Sequence, residues 1–321
     1  MDVSVAFPPG RDLVDFAALA ESLGFKRVWV YDSPALYEDV WVSLAEIAEH
    51  TDEIGFGPAV IVPSLRHVMT TAAAIATLEA KAPGRLAVAI GTGFTGRRAL
   101  GKKALSFATL ERYVRELRGL LAGETVLIDG AKARLLHPAG FGAPRPIRTP
   151  LLVAANGPKG LEVARRVGDG LMCVSRPQPG FDWCAALVFG TVLAERESFA
   201  SARVFETLGP AIAVIYHGAW EMSPNGVDAL PGGAAWRAAL ERIPADERHL
   251  AVHEGHLVEV SELDRPHISS ELGALTFSGT ETQLRERIAQ LAADGLTELV
   301  YQPLGPDVPG ELDAFAKMAG L

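Results

Sequence analysis

Cysteine is nearly absent from the 321 residues, which hold two, Cys173 and Cys184, with no CxxC spacing and no His cluster close by. A disulfide framework and a thiolate-rich metal site are therefore excluded. Aromatic residues make up 7% and charged residues 21%, and no uncharged run is long enough to span a bilayer. Lysine is scarce beside arginine, and the formal net charge of −9 argues against a surface for nucleic acid or anionic membrane. The opening MDVSVAFPPG has neither the basic flank nor the apolar stretch of a signal peptide, so the expected location is cytoplasmic. Cys173 falls on a predicted strand and Cys184 on a predicted helix, and Cys173 reads as a small buried hydrophobe.

Apolar residues are plentiful at 49%, enough for one large core. They are organised around Leu151 to Val174, LLVAANGPKGLEVARRVGDGLMCV. The run Leu151 to Ala155 suits a strand buried on both faces, and Asn156-Gly157-Pro158 breaks it, with Pro158 at the first position of a helix where a missing N–H costs nothing. That helix carries Leu161, Ala164 and Val167 on one face and Glu162, Arg165 and Arg166 on the other, and ends at Gly168-Asp169-Gly170 before a second strand. A βαβ unit results, whose turn offers backbone N–H groups and a helix dipole to an anion. A tight turn without a ligand explains the same residues.

Along the chain, strands are expected at Asp2 to Phe7, Phe25 to Tyr31, Ile54 to Pro63 and Arg85 to Ile90. Helices are expected at Arg11 to Leu23, Val40 to His50, Val68 to Lys81 and Leu105 to Leu121. Glu124 to Thr149 reads as an irregular excursion holding a hairpin. After the βαβ unit, Trp183 to Ser201 reads as a helix and Gly209 to Tyr216, GPAIAVIY, as strand seven. His217 to Leu275 forms a second excursion, with helices at Ala234 to Glu241 and Asp246 to Val258. Thr280 and Gln283 fit a capping box for a helix through Ala293, Thr297 to Tyr301 is strand eight, and Gly310 to Ala319 closes the chain as a helix. Eight strands alternating with helices define a (β/α)8 TIM barrel in the α/β class, a single domain over 1–321 with excursions after strands four and seven. The lack of GxGxxG after the first strand lowers the competing doubly wound sheet.

In such a barrel the site lies at the C-terminal ends of the strands. That collects Phe7, Asp32-Ser33, Ala59 to Pro63, Gly91 to Phe94, Ala155 to Pro158, Ser175-Arg176 and His217. No carboxylate pair, Ser/His/Asp set or metal-ligand spacing occurs among them, so hydrolysis by side-chain machinery is disfavoured and no metal is expected. A groove of Gly and Ala suits a large flat ligand approached by backbone, with an anionic tail at a helix N-terminus. Asp32 could equally cap a turn, Arg66 and His67 could be solvated or meet an anion, and the same two readings apply to Arg97-Arg98. His249 and His253 are four apart on an expected helix but lack a fitting carboxylate, so metal binding there is not favoured.

Four stretches resemble the luciferase-like flavin and deazaflavin oxidoreductases: AALAESLGFKRVWVYDS (17–33), VIVPSLRHVMTTAAAIATLEAKAPGRLAVAIGTGF (60–94), PLLVAANGPKGLEVARRVGDGLMCV (150–174) and LTFSGTETQLRERIAQLAADGLTELVYQP (275–303). The resemblance implies a barrel holding coenzyme F420, or alternatively FMN, in its mouth. It places Asp32 by the ring, a non-prolyl cis peptide at Ala59-Val60 behind it, the Gly91-Thr92-Gly93 turn against it, and Ala155, Asn156, Gly157 and Pro158 around the phosphate tail. Ser33 and Phe94 stand where the glucose-6-phosphate dehydrogenases of this family carry His and Glu, so no acid/base residue follows from the resemblance. The expected activity is hydride transfer between F420 and a small organic substrate. The alternatives are an FMN-dependent monooxygenase using O2 with a partner reductase, and a flavin-binding protein without turnover. A homodimer is expected from the family and from the apolar surroundings of Leu100 to Leu121.

Overall fold

A computed structural model describes residues 1–174 and 176–321. Eight parallel strands form its central sheet: β1 (Asp2–Phe7), β2 (Arg27–Val30), β3 (Gly55–Pro58), β4 (Val88–Ile90), β7 (Leu151–Ala154), β8 (Gly170–Val174), β9 (Cys184–Phe189) and β12 (Glu298–Gln302). Between them lie an antiparallel hairpin, β5 (Val126–Ile128) with β6 (Ala131–Ala133), and a short parallel pair, β10 (Val192–Leu193) with β11 (Gly279–Thr280). The order β3-β2-β1-β12-β9-β8-β7-β4 runs around a barrel, closed by bridges from Phe56 to Leu86 and Ile61 to Ile90.

Alternation along the strands sorts side chains between two layers. Val3, Val5, Phe7, Val28 and Val30 face outward against the helices, while Ala6, Trp29, Tyr31, Ala87, Ala89 and Ala185 fill the interior. The small interior residues make room for Trp29, whose indole N–H donates to Glu298 at 2.9 Å; Trp183 donates to the same buried carboxylate at 2.6 Å. Outside the sheet lie α1 (Leu13–Ser22), α2 (Val40–His50), α3 (Val68–Lys81), the single-turn α4 (Phe94–Arg98), α5 (Phe107–Ala122), α6 (Pro158–Val167), α10 (Glu281–Ala293) and α11 (Val308–Ala319). Gly57 is required where β3 meets β4, since a Cβ there would lie 1.7 Å from the Ala87 carbonyl oxygen.

Two expectations are overturned. Trp183 to Ser201 is not a helix: it contains β9, the seventh barrel strand, and Cys184 lies on that strand. Gly209 to Tyr216 is not a strand but the middle of α7 (Ala202–Met222), a 21-residue helix with Pro210 inside it. Cys184–Phe189 and Gly209 to Tyr216 are both short runs without charged residues, and a strand buried on both faces cannot be told by period from a helix buried all round. The second excursion still follows strand seven. It carries α7, α8 (Gly233–Leu240) and α9 (Arg248–His253) around a separate apolar cluster of Leu208, Ile212, Tyr216, Trp236 and Leu240. The helix expected from Asp246 to Val258 is confined to α9, and turns follow it. No helix among the described residues is long and apolar enough to cross a membrane.

Candidate functional site

The C-terminal ends of the strands surround a cavity of about 510 Å³. β2 runs out into Tyr31, Asp32 and Ser33. The β3 ladder breaks at Ala59-Val60, where the peptide is cis, and Ile61 re-engages β4 through Ile90. Gly91 packs so closely on Val60 that a Cβ would sit 2.5 Å from its Cγ2. The next glycine, Gly93, takes φ of 79° as N-cap of α4, a conformation open to glycine at little cost. From β7 come Ala154, Ala155 and Asn156, whose side-chain oxygen accepts from the Val174 N–H at 2.9 Å and so ties the β7 and β8 ends together.

Of the residues singled out in the sequence, Asp32, Ala59, Val60, Gly91, Thr92, Gly93, Ala155 and Asn156 come together on the wall of this one cavity. Gly157 and Pro158 are not on it; they form the N-cap and first turn of α6, exposed, with no side-chain cap and open space where a Gly157 Cβ would point. Phe7 belongs to the outer core, His217 lies within α7, and Ser175 lies outside the described residues. A second hollow of about 740 Å³ opens at the opposite, N-terminal end of the strands, between Arg115, Arg118, Asp169 and Trp183. It is at the end where barrels of this kind carry stability rather than chemistry.

Asp32 is not a free base. Arg66 grips it bidentately, Nε donating to Oδ2 at 3.1 Å and Nη2 to Oδ1 at 3.0 Å, and the same Nη2 reaches Asp39, the N-cap of α2. Burial raises the Asp32 carboxyl above its ordinary value, while the guanidinium pulls it back. A fork of this geometry favours the ionised carboxylate. Arg66 is therefore committed to two carboxylates rather than solvated. Arg98 is likewise engaged, its guanidinium lying over the Phe94 ring at 4.3 Å and pairing with Glu221 at 3.5 Å, which fastens the second excursion to the mouth.

Sequence reasoning missed Tyr37, Phe107, Met172, Leu187, His256 and Leu257, which complete the wall. His256 and Leu257 reach it from the second excursion, and the Tyr37 hydroxyl donates to the His256 carbonyl across 219 residues of sequence. No local signal marks such a contact. The wall as a whole is apolar and backbone-rich, with few charges, which suits a flat ring better than a strongly charged substrate.

A closed parallel barrel with its cavity at the strand C-termini defines the large class of TIM-barrel proteins that bind ligands at that face. Within that class the chain belongs to the luciferase-like monooxygenase family, whose profile matches residues 3–298. Over 184 residues it is 34% identical to an F420-dependent glucose-6-phosphate dehydrogenase of Beutenbergia cavernae, covering 51% of this chain and 53% of that one. Against a 5,10-methylenetetrahydromethanopterin reductase of Methanolobus tindarius the identity is 31%, covering 51% and 50%. The match thus spans about half the length of these curated relatives. Among solved structures, an F420-dependent secondary alcohol dehydrogenase in complex with an F420-acetone adduct aligns with a TM-score of 0.68 at 17% identity, over 99% of this chain and 98% of that one. The FMN-bound oxygenating constituent of 3,6-diketocamphane monooxygenase from Pseudomonas putida aligns with a TM-score of 0.66 at 13% identity, over 99% and 98%. At these identities the structures establish the shared fold.

Proposed function

We propose that the protein is an F420-dependent oxidoreductase that transfers hydride between the deazaflavin and a small organic molecule. The observation that carries this reading is the convergence of Asp32, Ala59-Val60, Gly91 to Gly93 and Ala155-Asn156 on one apolar cavity beside the uncapped N-terminus of α6. These residues fit such a group. Ala59, Val60 and the glycines leave a flat, side-chain-poor wall for a ring, and the unpaired N–H groups of the first turn of α6 suit a phosphate. The deazaflavin would supply a two-electron hydride carrier, while the chain supplies binding, orientation and exclusion of water. Asp32, locked on Arg66, would act as a fixed charge at the ring edge rather than as a proton carrier.

The relatives named as F420-dependent support F420 over FMN, as does the excess of Arg over Lys, which fits a high-GC genome of the kind that often makes F420. A glucose-6-phosphate substrate is disfavoured by Ser33 and Phe94 at the positions of the family's His and Glu. We read residues 1–321 as one domain, place the protein in the cytoplasm, and expect a homodimer that needs no reductase partner when F420 is the cofactor. Titrating the apo-protein with F420 and with FMN, and following fluorescence quenching, tests the reading. Saturable F420 binding with weaker FMN binding is expected; FMN binding alone would convert the reading to a monooxygenase that needs a partner reductase, and binding of neither would remove it.

A further inference from the structure

On the wall of the cavity one buried imidazole packs against the protein but makes no hydrogen bond through its ring. The polar side chains of the wall are mostly committed to the protein: Tyr31 to Gln302, Tyr37 to the His256 carbonyl, Asp32 to Arg66, Asn156 to the Val174 N–H, and the Cys173 thiol to the Ala185 carbonyl. His256 differs. It is 7% exposed and lines the cavity, and neither ring nitrogen hydrogen-bonds to a described residue; Nδ1 is sealed off without a partner, which leaves Nε2 as the nitrogen open to a ligand. Buried polar groups are nearly always paired, so an unpaired imidazole on a cavity wall asks for a ligand.

The backbone around it is built to present it. Gly255 has φ of 66° and Leu257, a branched residue, has φ of 59°, so both flanks of His256 sit in the left-handed region. A leucine there is strained, and such strain persists where the surroundings fix it and gathers at ligand sites. Behind His256 stands a buried polar group from four segments of the excursion. The His217 ring stacks on it at 6.2 Å and 27°, and His253 approaches at 5.4 Å. Asp264 Oδ1 lies 3.0 Å from His217 Nε2 and accepts from Trp236 Nε1 at 2.7 Å, while Ser261 donates to Oδ2 at 2.7 Å. Burial resists ionisation of Asp264, yet these bonds hold it below the ordinary carboxylate range. His253 in turn lies 3.0 Å from Glu221, the carboxylate that pairs with Arg98.

We propose that His256 is the polar anchor for the substrate, taking through an imidazole nitrogen the carbonyl or hydroxyl oxygen of an otherwise uncharged, apolar organic molecule. This rests on the oxidoreductase reading above. The apolar neighbours Leu257, Leu187, Met172 and Tyr37 would receive the body of that molecule. Burial, with His217 and His253 alongside, pushes the His256 imidazole down to about 3 against the pull of Asp264, so near neutral pH the ring is uncharged. A neutral imidazole offers one N–H donor and one acceptor and no net charge, which suits a ketone or alcohol and gives no counter-ion to a carboxylate or phosphate. The anchor thereby selects against sugar phosphates, in accord with Ser33 and Phe94.

The test uses the full chain and three matched probes: 2-acetylnaphthalene, its near-isosteric hydrocarbon 2-isopropylnaphthalene, and 2-naphthoate. Binding is measured by calorimetry with and without saturating F420, in the wild type and in His256→Leu, His256→Phe and His256→Asn, each checked for a cooperative melt. The wild type should hold the ketone about ten-fold more tightly than the hydrocarbon, the size of one well-placed hydrogen bond to a desolvated group, and should disfavour the carboxylate. His256→Leu and His256→Phe should abolish the ketone preference, and His256→Asn should restore part of it. Should one apolar variant fail to fold, the other decides. Equal binding of ketone and hydrocarbon by the wild type, or a preference surviving both apolar variants, overturns the proposal. If F420 does not bind but the ketone preference in the F420-free protein still depends on His256, the anchor stands and the oxidoreductase reading falls.

Discussion

Replacing Arg66 by Met would isolate the Asp32 carboxylate at the cavity wall. The Asp32 side chain is 1% exposed and the Arg66 side chain 13%, so the pair is shielded from water on both sides. Breaking a buried pair by removing one partner costs ~3–5 kcal/mol when the remaining charge cannot be neutralised. The same guanidinium also bridges Asp39, but that carboxylate is 45% exposed, and exposed pairs contribute ~0–1 kcal/mol. Loss of the Asp32 pair therefore dominates, at ~3 kcal/mol near pH 8.

The sign with pH follows from the direction of the shift. Burial already holds Asp32 above its ordinary value in the wild type, and without Arg66 the carboxyl rises further. Well below its unfolded value of about 4 it is protonated whether the chain is folded or not, so no charge penalty arises. As pH climbs from there through the raised folded-state value, the folded chain keeps its proton longer than the unfolded one, and stability falls. Guanidinium denaturation of Arg66→Met at pH 5 and pH 8 should show the smaller loss at pH 5, and Asp32→Asn in the same chain should recover at least half of the pH 8 loss. Equal losses at both pH values, with no recovery in the double variant, would show that Arg66 contributes packing rather than charge and would refute the reasoning.

Gly57→Ala should lower stability by ~2 kcal/mol or more, because its Cβ would fall 1.7 Å from the Ala87 carbonyl oxygen and the two strands must part; thermal melting measures the loss. Gly157→Asp should leave stability within ~0.5 kcal/mol, since the position has open space and extended dihedrals that suit an Asp cap, yet weaken F420 binding by setting a negative charge at the α6 N-terminus. Unchanged affinity in that variant would remove the turn from the site. Thr280→Ala removes the hydroxyl half of the α10 capping box and should cost ~1 kcal/mol by chemical denaturation. Light scattering at micromolar concentration should report a dimer; a monomer would count against the proposed assembly.

The parts of the fold readable in the sequence are those governed by neighbours in the chain. α2 and α3 begin and end where the apolar pattern places them, and the capping box at Thr280 is formed. The cis peptide at Ala59-Val60 came from the family resemblance, not from local pattern. β9 and α7 were lost because Cys184–Phe189 and Gly209 to Tyr216 are apolar without a period, and only the surrounding tertiary structure distinguishes a strand from a helix there. At the site, residues next to strand ends were legible. Arg66 and His256 were not, because what gives each its place is a distant partner: Asp32 for the first, and Tyr37 with the His217–Asp264 pair for the second.

A crystal structure with F420 bound tests the central claim most directly. Density for the deazaflavin ring is expected against Ala59-Val60 and Gly91 to Gly93, with its phosphate at the N-terminus of α6 beside Asn156 and Gly157 and open space between the ring and His256. A ring bound outside this cavity, or a phosphate held away from α6, would contradict it.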